Sequence, residues 1–195
     1  AALIGAANTL TFLTDGRVQA DNTDGVGFLE NIRQNLPGWT AASGPALVLG
    51  AGGAAKAIVS ALIQDGAPRV HIVNRTRPRA DALRDQFGAR VESHDWTRIP
   101  DLMSDVALIV NTTSLGMVGQ PPLVLDLSRL SPPTVVTDIV YKPLETDLLV
   151  QARAMGCETV DGLGMLLHQA VPGFERWFGH TPIVDDDLRQ AVLGS

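Results

Sequence analysis

Residues 45–79, PALVLGAGGAAKAIVSALIQDGAPRVHIVNRTRPR, decide the fold. Val48 and Leu49 lead into Gly50-Ala51-Gly52-Gly53-Ala54-Ala55, a G-x-G-x-x-A turn, and Ala55, Ile58, Val59, Leu62 and Ile63 follow at helical spacing. Strand, glycine turn and helix in that order make a nucleotide cradle. Gly50 permits the tight turn, Gly52 lets backbone N–H groups approach a pyrophosphate with no side chain in the way, and Ala55 lets helix and strand pack closely. The helix N-terminus then meets the anion with unpaired N–H groups and a partial positive charge.

The second strand, Val70-His71-Ile72-Val73, ends at Asn74-Arg75-Thr76-Arg77-Pro78-Arg79, about where an NAD-binding fold places an acid on the ribose 2′-hydroxyl. No acid stands there, and three arginines do. Guanidinium groups attract a 2′-phosphate that an aspartate would repel, so the expected cofactor is NADP rather than NAD. Away from a glycine cradle the same cluster would read as a solvated basic turn.

The alternation continues downstream. Residues 78–87 read as a helix, Val91 as a brief strand, and 105–110 as a buried strand ending in the polar turn Asn111-Thr112-Thr113-Ser114-Leu115-Gly116-Met117. Residues 134–138 read as another strand, closed by Ile139-Val140-Tyr141-Lys142-Pro143, followed by a helix over 146–155 and a strand over 158–160. A long helix is expected over 162–178, bent at Pro172-Gly173, with Met165, Leu166, Ala170, Phe174 and Trp177 on its core side. Strands alternating with helices predict an α/β fold: a Rossmann-like, doubly wound parallel sheet, with ligands at the carboxyl ends of its strands.

Upstream, residues 7–12 and 18–21 read as a hairpin turned at Thr14-Asp15-Gly16-Arg17. A lone hairpin is marginal in water, so the expectation is that it is the remnant of an N-terminal α/β substrate domain whose other strands precede the chain. Thr23 is the expected N-cap of a helix through Phe28, Leu29, Ile32 and Leu36, and Asp24 falls in its first turn, where the helix dipole alone would favour a carboxylate. The expected division is 1–22 for the substrate-domain remnant, 23–44 for a connecting helix and linker, 45–178 for the NADP-binding domain and 179–195 for a C-terminal helix.

Bulk properties agree. The 195 residues are 45% hydrophobic, enough to bury a sizeable core. The single cysteine, Cys157, fits a reducing compartment, and no apolar segment is long enough to span a bilayer, so a cytoplasmic protein without membrane contact is expected. A net charge of −6, with basic residues clustered locally, argues against nucleic acid as a partner. His71 reads as a core residue, while His94 and His180 read as loop residues with no Cys or carboxylate at ligand spacing, so no metal is expected.

Taken together, Asn8-Thr9, Asn22-Thr23-Asp24-Gly25, Gly50 to Ala55, Asn74-Arg75-Thr76, Asn111 to Met117, Asp138 to Tyr141 and the run Asp161 to Gln169 resemble, in order and over nearly the whole chain, the shikimate dehydrogenases. The N-T-D-G and G-L-G-M-L-x-x-Q stretches are the specific ones; the glycine cradle is shared widely. The resemblance implies reversible NADP-dependent reduction of 3-dehydroshikimate to shikimate, in the chorismate pathway to aromatic amino acids. It implies Asp24 as the carboxylate of a catalytic Lys–Asp pair, and Asn8, Asp24, Tyr141 and Gln169 as substrate contacts. It implies Gly50, Ala51, Gly52, Gly53 and Ala54 as the phosphate loop, Asn74, Arg75, Thr76 and Arg79 as the adenosine-phosphate loop, and backbone contacts to the nicotinamide end at Ile139 and Gly162.

The family's catalytic lysine lies in an amino-terminal portion that this chain does not show, and neither Lys56 nor Lys142 matches it. Negligible turnover of this chain alone is therefore expected. Two other readings stay open: a quinate or shikimate dehydrogenase-like paralogue, and a non-catalytic nucleotide-binding module or a chain that pairs with a separate chain or dimerises to complete a site; the exposed edge of the remnant sheet favours association, as in a homodimer.

Overall fold

The computed structural model describes residues 1–194. Six strands form one parallel sheet: β3 (Ala46–Leu49), β4 (Val70–Val73), β5 (Val91–His94), β6 (Leu108–Asn111), β7 (Val135–Asp138) and β8 (Glu158–Val160), in the order β5-β4-β3-β6-β7-β8. The chain runs outward from β3 to β5, then crosses back and builds β6 to β8 on the other side. The switch point therefore falls between β3 and β6, where an open α/β sheet leaves a crevice for ligands.

Both sheet faces are covered, which is why the strands read as unbroken apolar runs rather than alternating ones. In β3, Ala46 and Val48 join a core with Phe28, Ile58, Leu62 and Ile72. Leu47 and Leu49 point the other way, into a core with Ile109, Val136, Leu148 and Cys157. The first core is roofed by α1 (Asp24–Asn35), α2 (Gly53–Gln64) and α3 (Arg77–Phe87), the second by α4 (Ile99–Met103) and α5 (Asp147–Ala154).

The hairpin, β1 (Thr9–Phe12) and β2 (Val18–Asp21), is a separate antiparallel sheet of two strands. Trp177 Nε1 donates to the Leu10 carbonyl at 2.9 Å and Arg176 pairs with Asp21, so the hairpin rests on α7 (Val171–Phe178).

Three expectations change. The long helix over 162–178 is two helices, α6 (Leu163–His168) and α7, because Pro172 has no N–H to return to the carbonyl one turn earlier. The core assignment along it fails for the same reason: α6 buries Met165 against α1, whereas Leu166, Phe174 and Trp177 are exposed, Trp177 at 56%. His94 is no loop residue; it closes β5, beside Glu92 and across from β4. The C-terminal helix expected within 179–195 is α8 (Asp186–Leu193), capped by Asp185, which accepts the Leu188 N–H at 2.9 Å.

Candidate active site

The glycine turn leaves β3 at the switch point. Gly50 has φ +111, and a Cβ there would come within 2.6 Å of Thr112 Oγ1, so only glycine turns the chain against β6. Gly52 and Gly53 have open space where their Cβ atoms would lie. Gly52 caps the twelve-residue α2 with no side-chain hydrogen bond and no acid in the first turn, while Ala55 is fully buried. Unfilled N–H groups at a positive helix end, beneath an open surface, are what a pyrophosphate requires.

One strand over, Asn74 Nδ2 donates to the Thr76 carbonyl at 2.9 Å and fixes the loop after β4. Arg77 is held by Asp81 at 3.0 Å and Asp95 at 3.1 Å. Arg75 and Arg79 are exposed, and no ion pair holds either among the described residues. Two guanidinium groups of the three in the loop are therefore free for an anion, the two that the family resemblance implies.

On the other side of the switch point, a groove of about 250 Å³ is lined by Asn8, Asp24, Ile139, Tyr141, Gly162, Met165, Leu166 and Gln169. It gathers all four residues expected to contact substrate and both expected at the nicotinamide end. Asn8 is its hub. Its Nδ2 donates to Asp24 Oδ1 at 2.8 Å and to Gln169 Oε1 at 3.2 Å, and its Oδ1 accepts from the Thr23 N–H at 3.1 Å and from the Thr9 hydroxyl at 3.0 Å. Thr23 occupies the N-cap position of α1 but makes no cap bond; its hydroxyl turns to Asn8 Oδ1 at 3.0 Å instead.

Close packing brings Gln169 to this hub. A Cβ on Gly27 would lie 2.6 Å from the Gln169 nitrogen, so glycine lets α1 lie directly on the end of α6. Gly162 is similar: a Cβ would lie 2.4 Å from the Ile139 carbonyl oxygen, which joins the ends of β7 and β8. His168 points elsewhere, to Gln34 Oε1 at 2.8 Å, since successive side chains on a helix diverge.

The sequence reading missed what holds the loop carrying Ile139 and Tyr141. Asp138, 1% exposed, accepts from Asn111 Nδ2 at 2.9 Å, the Val140 N–H at 3.0 Å and the Thr146 hydroxyl at 2.8 Å. Asn111 Oδ1 in turn accepts the Thr113 N–H at 3.0 Å, tying in the polar turn after β6. Burial pushes the Asp138 carboxyl above the ordinary carboxylate value, and these hydrogen bonds pull it back. Polar residues at two adjacent strand ends were the available signal.

The family model described as "Shikimate / quinate 5-dehydrogenase" matches residues 32–138, and "Shikimate 5'-dehydrogenase C-terminal domain" matches residues 162–193. The chain belongs to the shikimate dehydrogenase family. The first match holds the cradle and the arginine loop, the second Gly162 and Gln169. A family member from Jannaschia sp. (strain CCS1), named shikimate dehydrogenase (NADP(+)), is 77% identical over 193 residues, 99% of this chain and 69% of its own length. Among solved members, quinate dehydrogenase from Corynebacterium glutamicum in complex with NAD is 34% identical with a TM-score of 0.89, covering 100% of this chain and 70% of that one. Shikimate 5-dehydrogenase from Thermus thermophilus in complex with NADP(H) and shikimate is 36% identical with a TM-score of 0.79, covering 93% of this chain and 66% of that one.

Proposed function

We propose that this chain supplies the NADP-binding half and one wall of the substrate site of an NADP-dependent shikimate dehydrogenase, which interconverts 3-dehydroshikimate and shikimate. The observation that carries this reading is the groove that gathers Asn8, Asp24, Tyr141 and Gln169 beside Ile139 and Gly162, at the same carboxyl end of the parallel strands as the open glycine cradle.

The residues present fit the cofactor. The α2 N-terminus with Gly52 and Gly53 would hold the pyrophosphate, Arg75 and Arg79 the 2′-phosphate, and the backbone at Ile139 and Gly162 the nicotinamide end. When bound, NADP gives or takes a hydride at the substrate carbon. The chain's own residues do the rest. Asn8 fixes one oxygen of the Asp24 carboxylate and, with Gln169, presents amide donors and acceptors to a polyhydroxy acid. The Tyr141 hydroxyl adds a further donor and acceptor in the same groove. Asp24 acts by orienting the group that exchanges a proton with the reacting oxygen.

That proton carrier is not in this groove. Among the described residues Lys142 lines a neighbouring apolar groove with Val118 and Leu144, and Lys56 lies within α2. The 195-residue chain alone therefore binds NADPH but turns over at least about 10²- to 10⁴-fold more slowly than an enzyme with proton management intact. A boundary near residue 22, after the substrate-domain remnant, is supported by the separate β1–β2 sheet, whereas the connecting helix α1 packs into the first core of the parallel sheet. Exposed Phe12, Val18, Trp177 and Phe178 support self-association, as in a homodimer. A free, buried Cys157 supports a reducing, cytoplasmic location; no helix among the described residues is long and apolar enough to cross a membrane.

The test pairs calorimetric NADPH titration with an assay of NADP-linked shikimate oxidation on the same sample. Binding without appreciable turnover supports the proposal. Absence of NADPH binding overturns the cofactor assignment, and full turnover overturns the role assigned to the missing proton carrier.

A further inference from the structure

The edge of the sheet farthest from the groove carries a cluster that the dehydrogenase reading does not use. Register pairs His71 on β4 with Glu92 on β5, and Val73 with His94. His71, Glu92 and His94 therefore project from one face of the two strands. His71 is 8% exposed; Glu92 and His94 are half-buried.

Three donor atoms converge there. His71 Nδ1 and His94 Nε2 are 3.0 Å apart, and Glu92 Oε2 lies 3.5 Å from the first and 3.6 Å from the second. Tetrahedral zinc with ligands at about 2.0–2.1 Å spaces its donors about 3.3 Å apart, so the triangle is already close to one face of that tetrahedron. The circle through the three atoms has a radius of about 2.0 Å, which seats an ion at bonding distance just outside their plane and leaves a fourth position open. We infer that His71, Glu92 and His94 form a binding site for a divalent transition ion of the zinc class.

The surroundings suit that role. Arg69 Nη1 holds Glu92 Oε1 at 3.2 Å, fixing the carboxylate through its other oxygen as an outer-shell partner does. Burial, the largest cause, keeps both imidazoles below the ordinary histidine value, and the neutral ring is the form that ligates. Two nitrogens and one carboxylate oxygen form a ligand set that zinc accepts. Such an ion clamps edge strand β5 to β4 directly beneath the arginine loop, since β4 runs into Asn74 and Asp95, next to His94, holds Arg77.

Protein stripped with chelator is titrated with Co²⁺, whose tetrahedral complexes absorb strongly in the visible, and then with Zn²⁺. The expected result is one Co²⁺ per chain with a tetrahedral spectrum, displaced by Zn²⁺, and a higher thermal midpoint with either ion. His94→Gln and Glu92→Gln each weaken binding by more than the about 10–100-fold that loss of an outer-shell partner costs. His180→Gln leaves it unchanged. Should His94→Gln fail to fold, Glu92→Gln, which alters a half-exposed side chain, decides. An absent visible band, a sulfur charge-transfer band implicating Cys157, or unchanged affinity in Glu92→Gln overturns the site.

Discussion

Removing the Asp138 carboxylate tests how the substrate-side loop is held. Asp138→Ala strands three buried donors, Asn111 Nδ2, the Val140 N–H and the Thr146 hydroxyl, at about 1–3 kcal/mol for each group left unsatisfied. Relief of the desolvated carboxylate offsets part of that, as does the bond Asn111 Nδ2 keeps with the Leu115 carbonyl at 3.3 Å. The expected net loss is about 3–4 kcal/mol, a large part of a typical domain's stability. Asp138→Asn keeps an oxygen toward the two N–H donors and turns an NH₂ toward Thr146, whose hydroxyl can accept, so its loss stays within about 1 kcal/mol. Urea unfolding of both variants at neutral pH makes the comparison. Equal losses, or an alanine variant within about 1 kcal/mol of the parent, would refute the network as the loop's anchor. Its pH dependence has a definite sign. Because the folded carboxyl value is raised, the Asp138 contribution is full below the ordinary carboxylate value and is lost as pH rises through the raised one. Relative to Asp138→Asn, the parent therefore loses stability as pH rises.

Other outcomes follow from the packing. Gly27→Ala forces α1 from the end of α6, where a Cβ would meet backbone at 2.6 Å, and costs about 1–3 kcal/mol in thermal or urea unfolding; an unchanged midpoint contradicts the close approach. Burial holds the His168 imidazole below its ordinary value, so its contribution is present above pH 6.5 and is lost as pH falls through the lowered value. His168→Gln flattens that limb of the stability profile, and a variant with the parent's slope contradicts the assignment.

The cofactor side was legible because its chemistry is local. Gly50 to Ala55, the apolar spacing through Ile63 and the missing acid at Asn74 are all contiguous in the chain, and the structure places them as read. Asn8, Asp24, Tyr141 and Gln169 were legible only through family resemblance, since no spacing shows that positions 8 and 169 share a hydrogen bond. The break between α6 and α7 was hidden because Gln169 and Ala170 keep right-handed helical angles while Pro172 removes the bond that would continue the ladder. The His71–Glu92–His94 group was hidden because it forms across β4 and β5, and reading His94 as a loop residue put its carboxylate neighbour out of view. Asp138 was read as part of a strand end, and its three bonds come from residues as distant as Asn111.

The most direct test of the central claim is the affinity for NADPH and NADH measured side by side, on the parent chain and on the Arg75→Ala/Arg79→Ala variant. Hydrogen bonds to a charged phosphate contribute about 1.5–3 kcal/mol, so the parent should prefer NADPH by about 10- to 100-fold. The variant should lose that preference through weaker NADPH binding, with NADH affinity unchanged. A parent that binds both nucleotides equally, or a variant that keeps the preference, would contradict the account.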